Sequence, residues 1–171
     1  MGFSIKKLIN ANVYLNGKEY AGIAAEVTLP EVKAKTKEFS PSALSGVLEL
    51  PMGTEKMTMT IKGDFDEAFV AAAADIYHVQ LLQIRCNLPN FDDSGRSMEQ
   101  NVVAHVRAMP TGFKPGAVKG QEPGEVDYTF NIWAYKLEVD GVPIFDIDIL
   151  ANKHAVLGKN LHSTSNANLG R

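Results

Sequence analysis

Apolar and polar residues alternate along much of this chain. In EKMTMTIKG, Met57, Met59 and Ile61 fall on one face and Lys56, Thr58, Thr60 and Lys62 on the other, the period-two pattern of a half-buried strand. VQLLQIRCNL behaves likewise, with Leu82, Ile84 and Cys86 aligned. NVYLNGKEYAGIAAEVTL places Asn16-Gly17 between two β-rich runs, and LEVDGVPI places Asp140-Gly141 in the same way. Both central positions of such a two-residue turn need positive φ, so each pair predicts a hairpin. EQNVVAHVRAMP is a further strand, reached through the turn-rich PNFDDSGRS. After the Gly/Pro-rich FKPGAVKGQEPGE comes a long strand, VDYTFNIWAYKLEV, on which alternation aligns Trp133, Tyr135, Leu137 and Val139 as core candidates.

One stretch has helical period. DFDEAFVAAAADIYH offers Asp64 as N-cap with Glu67 three residues on as capping-box partner, and Phe65, Phe69, Ala72, Ala73 and Ile76 as an apolar stripe against the sheet.

Three segments lack an evident place in a monomer core. EVKAKTKEFS alternates but is polar on both faces, Val32, Ala34, Thr36 and Glu38 against Lys33, Lys35, Lys37 and Phe39, so burial in its own core cannot hold it. SPSALSGVLELPMG has prolines, glycines and serines around a small apolar centre and reads as a long loop or extended hairpin tip; a loop of that length usually has a task. Both ends form arms, and the tail ANKHAVLGKNLHSTSNANLGR is polar with scattered leucines, a frayed terminus if left alone. Such edges and tips are what a self-assembling chain pairs with its own copies.

Composition narrows the class. At 171 residues the chain fits one domain, and 45% hydrophobic with 22% charged residues is a soluble globular balance. No apolar run reaches a membrane-spanning length and the N-terminus does not read as a secretory signal, so no membrane insertion is expected and the chain is placed in the cytoplasm where it is made. A formal charge of −3 and a pI near 5.8 give no general attraction for nucleic acid, although a protein that merely surrounds DNA would show the same balance. Cys86 is the sole cysteine, which excludes an internal disulfide and a thiolate-rich zinc site and leaves a small buried thiol.

The chemical candidates are thin. Asp146 and Asp148 share a strand face with Ile144, opposite Phe145, Ile147 and Ile149, and a wet strand face accounts for them without a metal. FDDSGRS lacks the spacing of a calcium loop, His78, His105, His154 and His162 form no ligand or catalytic pattern, and no phosphate-binding glycine loop is present. No catalytic, cofactor-binding or metal-ligating residue is therefore assigned, and assembly outranks catalysis.

YKLEVDGVPIFDIDIL, VYLNGKEYAGIAAEVTLPEVKAKTKEF and the closing GKNLHSTSNANLG, in this order, resemble the major tail tube protein of contractile phage tails and R-type pyocins over almost the whole chain. The resemblance implies a mainly β, sandwich or barrel-like tail tube domain over residues 1–171 with one flanking α-helix, assembled as hexameric rings that stack into a hollow tube. It implies a structural protein and no enzyme, made in the host bacterial cytoplasm and resident in the virion tail. A tail sheath protein, tail terminator and baseplate proteins are its partners, and DNA passes through the lumen without specific binding. By the same analogy residues 39–52 are the stacking loop, with Phe39, Leu44, Val47 and Leu48 as apolar contacts. Arms 1–10 and 152–171 add contacts between subunits and rings, the latter through Leu157, Leu161 and Leu169, and Lys33, Lys35 and Lys37 are expected to face outward, away from the lumen. Two alternatives stay open: the tube of a pyocin or type VI-like system without DNA cargo, and a monomeric β-barrel enzyme or small-molecule binder.

Overall fold

The computed structural model describes residues 2–171. In chain order its elements are β1 (Ser4–Lys6), β2 (Ile9–Leu15), β3 (Lys18–Glu19), β4 (Ala24–Thr28), β5 (Ala34–Phe39), β6 (Leu48–Thr54), β7 (Met57–Gly63), α1 (Glu67–Ala74), β8 (Gln80–Asp92), β9 (Gly95–Lys114), β10 (Val126–Val139), β11 (Val142–Asp148), β12 (Lys153–Val156), β13 (Lys159–Asn160) and α2 (Ser163–Asn168). The fold is mostly β, as the alternation requires.

Among the described residues, 11 strands form one branched antiparallel sheet whose main path runs β13-β12-β11-β10-β9-β8-β2-β3. Strand β10 is its pivot. β9 pairs with it along one edge, while the other edge is divided, Val126–Ile132 pairing with β7 and Ala134–Val139 with β11. Trp133 sits at the division, in a bulge where the partner of Ile132 is Ala108 and that of Ala134 is already Arg107. The extra residue resets the alternation, so Tyr128, Phe130 and Ile132 point into the core, Tyr135 rejoins them and Trp133 does not. The expected shared face of Trp133 and Tyr135 is thereby corrected.

The two branches fold over a common core of Val13, Leu15, Met57, Met59, Ile61, Leu82, Ile84, Val106, Tyr128 and Phe130, giving the sandwich-like layering. Helix α1 closes it through Phe69, whose ring meets Tyr20 at 5.4 Å and Tyr128 at 4.6 Å edge to face. Its N-cap is Asp66, whose carboxylate accepts the Phe69 N–H at 2.9 Å. Asp64 is not the cap, and its N–H, which a capping-box partner would accept, is taken by the Ile23 carbonyl at 2.9 Å. The helix begins two residues later than the capping-box pattern suggests, leaving Phe65 and Ile76 outside it and exposed.

The turns follow the sequence closely. Asn16 and Gly17 have φ of 50° and 84°, and Asp140 and Gly141 have 50° and 78°, the left-handed pair of a type I′ hairpin. PNFDDSGRS is drawn into the sheet, β8 and β9 pairing out to Asp92 and Gly95.

The arms also depart from the expectation that they lack partners in the monomer. Met1 lies outside the described residues; the following arm pairs through β1 with β8 and runs into β2 by Ile9. The tail adds β12 and β13 to the sheet and ends in α2, a second helix where one was expected. Asparagines fix it: Asn152 donates to the Asn166 side chain at 2.6 Å, Asn166 returns a bond to the Asn152 carbonyl at 3.1 Å, and Asn160 accepts the His154 and His162 N–H groups. Side-chain to backbone bonds of this kind replace the apolar periodicity the tail lacks.

Candidate assembly surfaces

Strands β5 and β6 form a separate two-stranded sheet. Every residue of β5 is exposed, as is every residue of β6 except the half-buried Thr54. A lone hairpin is marginal in water, and this one is closed at its base by its own flanking residues, where the Glu55 N–H donates to the Lys33 carbonyl at 2.8 Å and their side chains approach to 3.6 Å. That ion pair is solvent-exposed and contributes little. The stretch expected to be a stacking loop is thus a short tip, residues 40–47, followed by a return strand. The lysine-rich strand does have a partner within its own chain, and what it lacks among the described residues is a layer packed on either face.

The register fixes those faces. Lys37 lies opposite Leu50 and Phe39 opposite Leu48, so these residues share a face with Lys35; Glu38 lies opposite Glu49 and Thr36 opposite Pro51 on the reverse. Every residue expected to make apolar contacts is in water: Phe39, Leu44, Val47 and Leu48 on the hairpin, Leu157, Leu161 and Leu169 on the tail. Val32, Leu50 and Met52 are exposed as well. Leu48, Leu50 and Met52 recur at strand spacing, a signal obscured by Pro51 and Gly53, which in isolation read as loop residues.

Hairpin and tail are brought together at one end of the domain. Val32, Ala34 and Pro51 of the hairpin base face His154, Leu161 and His162 of the tail across an open groove of about 480 Å³. The tail's own tip is unusual: Leu157 and Gly158 have φ of 48° and 83° and form a third left-handed turn. In this turn an exposed leucine, 71% accessible, occupies the place held by asparagine or aspartate in the other two.

The carboxylates of FDIDIL are held in ion pairs. Asp146 accepts from Lys153 at 2.6 Å, and Asp148 from Arg107 at 3.2 Å while also accepting the Leu150 and Ala151 N–H groups. Along the same polar face of the sheet, Glu138 meets Lys136 at 2.6 Å and His105 at 3.3 Å; the Lys136 ammonium, then the His105 ring, hold its carboxyl below the ordinary range. No group of three or more His, Cys, Asp or Glu side chains able to hold a metal ion occurs among the described residues. Cys86 is half-buried beside the core, and burial pushes its thiol up, away from the reactive thiolate. Among the described residues no helix is long and apolar enough to cross a membrane.

This arrangement offers docking surfaces on the hairpin and tail, while the carboxylates on the polar face of the large sheet are engaged by basic side chains. The family model for phage tail tube protein FII matches residues 5–170. The chain belongs to that family. Similar curated proteins include the tail tube protein of Escherichia phage P2, 24% identical over 169 residues and aligned over 96% of this chain and 97% of that one. The major tail tube protein of Serratia phage KSP20 is 26% identical over 161 residues, covering 92% and 91%. Among solved structures, a chain of the PVC extracellular contractile injection system sheath-tube complex in its extended state has TM-score 0.53 at 13% identity, covering 75% of this chain and 87% of that chain. A chain of the anti-feeding prophage tube-terminating cap has TM-score 0.55 at 12% identity, with the same coverage. These structures share the fold. The resemblance drawn from the hairpin and tail residues is upheld, and the family role is that of a tail tube protein.

Proposed function

We propose that this chain self-assembles into hexameric rings that stack as the inner tube of a contractile phage tail, enclosed by a sheath, bounded by terminator and baseplate proteins, and traversed by DNA during ejection. The observation that carries this reading is the uncovered β5–β6 hairpin, with its apolar side chains directed to solvent. Phe39, Leu44, Val47 and Leu48 are its inter-ring contacts, and Leu157, Leu161 and Leu169 on the tail add contacts between subunits. Large exposed apolar patches mark interaction sites, and repetition around a ring multiplies modest contacts into a rigid array.

The passage of DNA needs a wall that does not retain phosphate, since each lysine or arginine contact releases counterions and holds the strand. The polar face of the large sheet meets that need, because Arg107, Lys136 and Lys153 each lie against a carboxylate. Likeness along almost the whole chain to phage tail tube proteins supports the phage assignment over a tube without DNA cargo. Electron microscopy of the purified protein tests the reading. Rings and stacked tubes are expected on concentration; uniform small monomers at high concentration would overturn it. Neighbouring genes for capsid and terminase would mark a phage, and their absence an injection system.

A further inference from the structure

The two faces of the β5–β6 hairpin carry opposite charge. Lys35 and Lys37 stand with Phe39, Leu48 and Leu50 on one, while Glu38 and Glu49 face each other directly across the strands on the other. Like charges at directly opposed positions repel. None of these four charged side chains has an ion-pair partner among the described residues, although Lys33 and Glu55 at the hairpin base pair with each other. All four are exposed. Each face therefore lacks a countercharge, and each is the countercharge of the other.

Resting on the reading that the chain assembles with its own copies, we propose that neighbouring copies stack hairpin on hairpin, the lysine-bearing apolar face of one against the glutamate face of the next. Sheets packed face to face lie about 10 Å apart, within reach of a lysine side chain extended from one face toward a carboxylate on the other. The lysine stems and Leu50 would then cover Thr36 of the neighbour, on the tip side of the groove that Pro51 shares with the tail, adding apolar burial to the charge pairs. Such a contact is heterologous: each copy offers one face and receives on the other, which generates a ring or a filament. Turning one hairpin over sets glutamate against glutamate or lysine against lysine, so charge also selects the direction of stacking.

Two double variants test this, K35E/K37E and E38K/E49K. Both strands lie outside the core, so each variant is expected to keep the wild-type circular dichroism spectrum and unfolding midpoint. Alone, each carries one sign of charge on both faces and should need about tenfold more protein than wild type to form tubes at low salt, read by sedimentation and electron microscopy. Mixed in equal amounts, the variants become complementary in alternation and should recover assembly, as should a single chain carrying all four reversals. Failure of both the mixture and the fourfold variant to recover would overturn hairpin-on-hairpin stacking, and so would wild-type assembly by either double variant alone. Wild-type tubes in those cases would leave the assembly reading intact; absence of wild-type tubes would overturn both.

Discussion

Leu157→Asn separates a cost borne by the monomer from a benefit gained on assembly. Three hairpin turns in this chain share the left-handed pair of φ values, at Asn16-Gly17, Asp140-Gly141 and Leu157-Gly158. An L-residue in that region bears about 1–2 kcal/mol, which Asn and Asp offset in part through local hydrogen bonding. Leu157 is 71% exposed, so its removal forfeits little apolar burial within the subunit. The substitution should therefore stabilise the dissociated subunit by about 1 kcal/mol, raising the unfolding midpoint by about 2–4 °C for a domain of this size. The assay is thermal unfolding followed by circular dichroism at concentrations below assembly. Tube formation should weaken at the same time, since an apolar contact is lost. Leu157→Ala is the control: it keeps the strained backbone and removes the side chain, so assembly should weaken with no gain in midpoint. A lower midpoint for Leu157→Asn would show that Leu157 is held by packing within its own chain, and the strain argument would fail. A raised midpoint with unchanged assembly would remove Leu157 from the contact set.

Deleting Ser42 to Leu50 should leave a folded subunit with native helical signal, because neither strand of the hairpin contributes to the core, while tubes are lost; collapse of the fold would refute the hairpin's independence. Gly63→Ala should cost about 3 kcal/mol in denaturant unfolding, since a Cβ there would lie 1.8 Å from the Ile23 carbonyl oxygen and the two backbones would have to separate. Asp140 accepts the Asn101 N–H at 2.9 Å and the Gln100 amide at 2.9 Å, which hold its carboxyl below the ordinary value of 3.8. A depressed folded value means its charge stabilises the fold above that ordinary value, and the contribution fades as pH falls through the lower folded value. Asp140→Asn preserves the turn geometry but has no such titration, so the advantage of wild type should be widest near neutrality and shrink below pH 3.8, measured by urea unfolding across the acid range.

Much of the strand content was legible from alternation. The inward set Met57, Met59 and Ile61 is buried, as are Leu82 and Ile84, because a single period-two choice places every residue of a strand. Trp133 was misplaced for the same reason, since one bulge reverses the alternation on one side of it and no local residue announces the bulge. The tail was misjudged because its asparagines act through specific hydrogen bonds to residues 14 positions away or fewer, which a search for apolar periodicity passes over. Leu50 and Met52 were hidden behind Pro51 and Gly53, residues that an uncovered hairpin tolerates and a central strand would not.

The sequence by itself determined the β character, the two Asn/Asp-Gly hairpins and the lysine-rich strand and loop that burial does not hold. These follow from local rules, side-chain alternation and the φ demanded of a turn. Only the tertiary structure decided where β10 divides between two branches, that both arms join the sheet, and that Glu49 lies directly across from Glu38 on a free hairpin. Those outcomes depend on register between distant strands. Register is settled by which pairing buries the most apolar surface and satisfies the most backbone at once, a property of the whole chain that no single stretch contains.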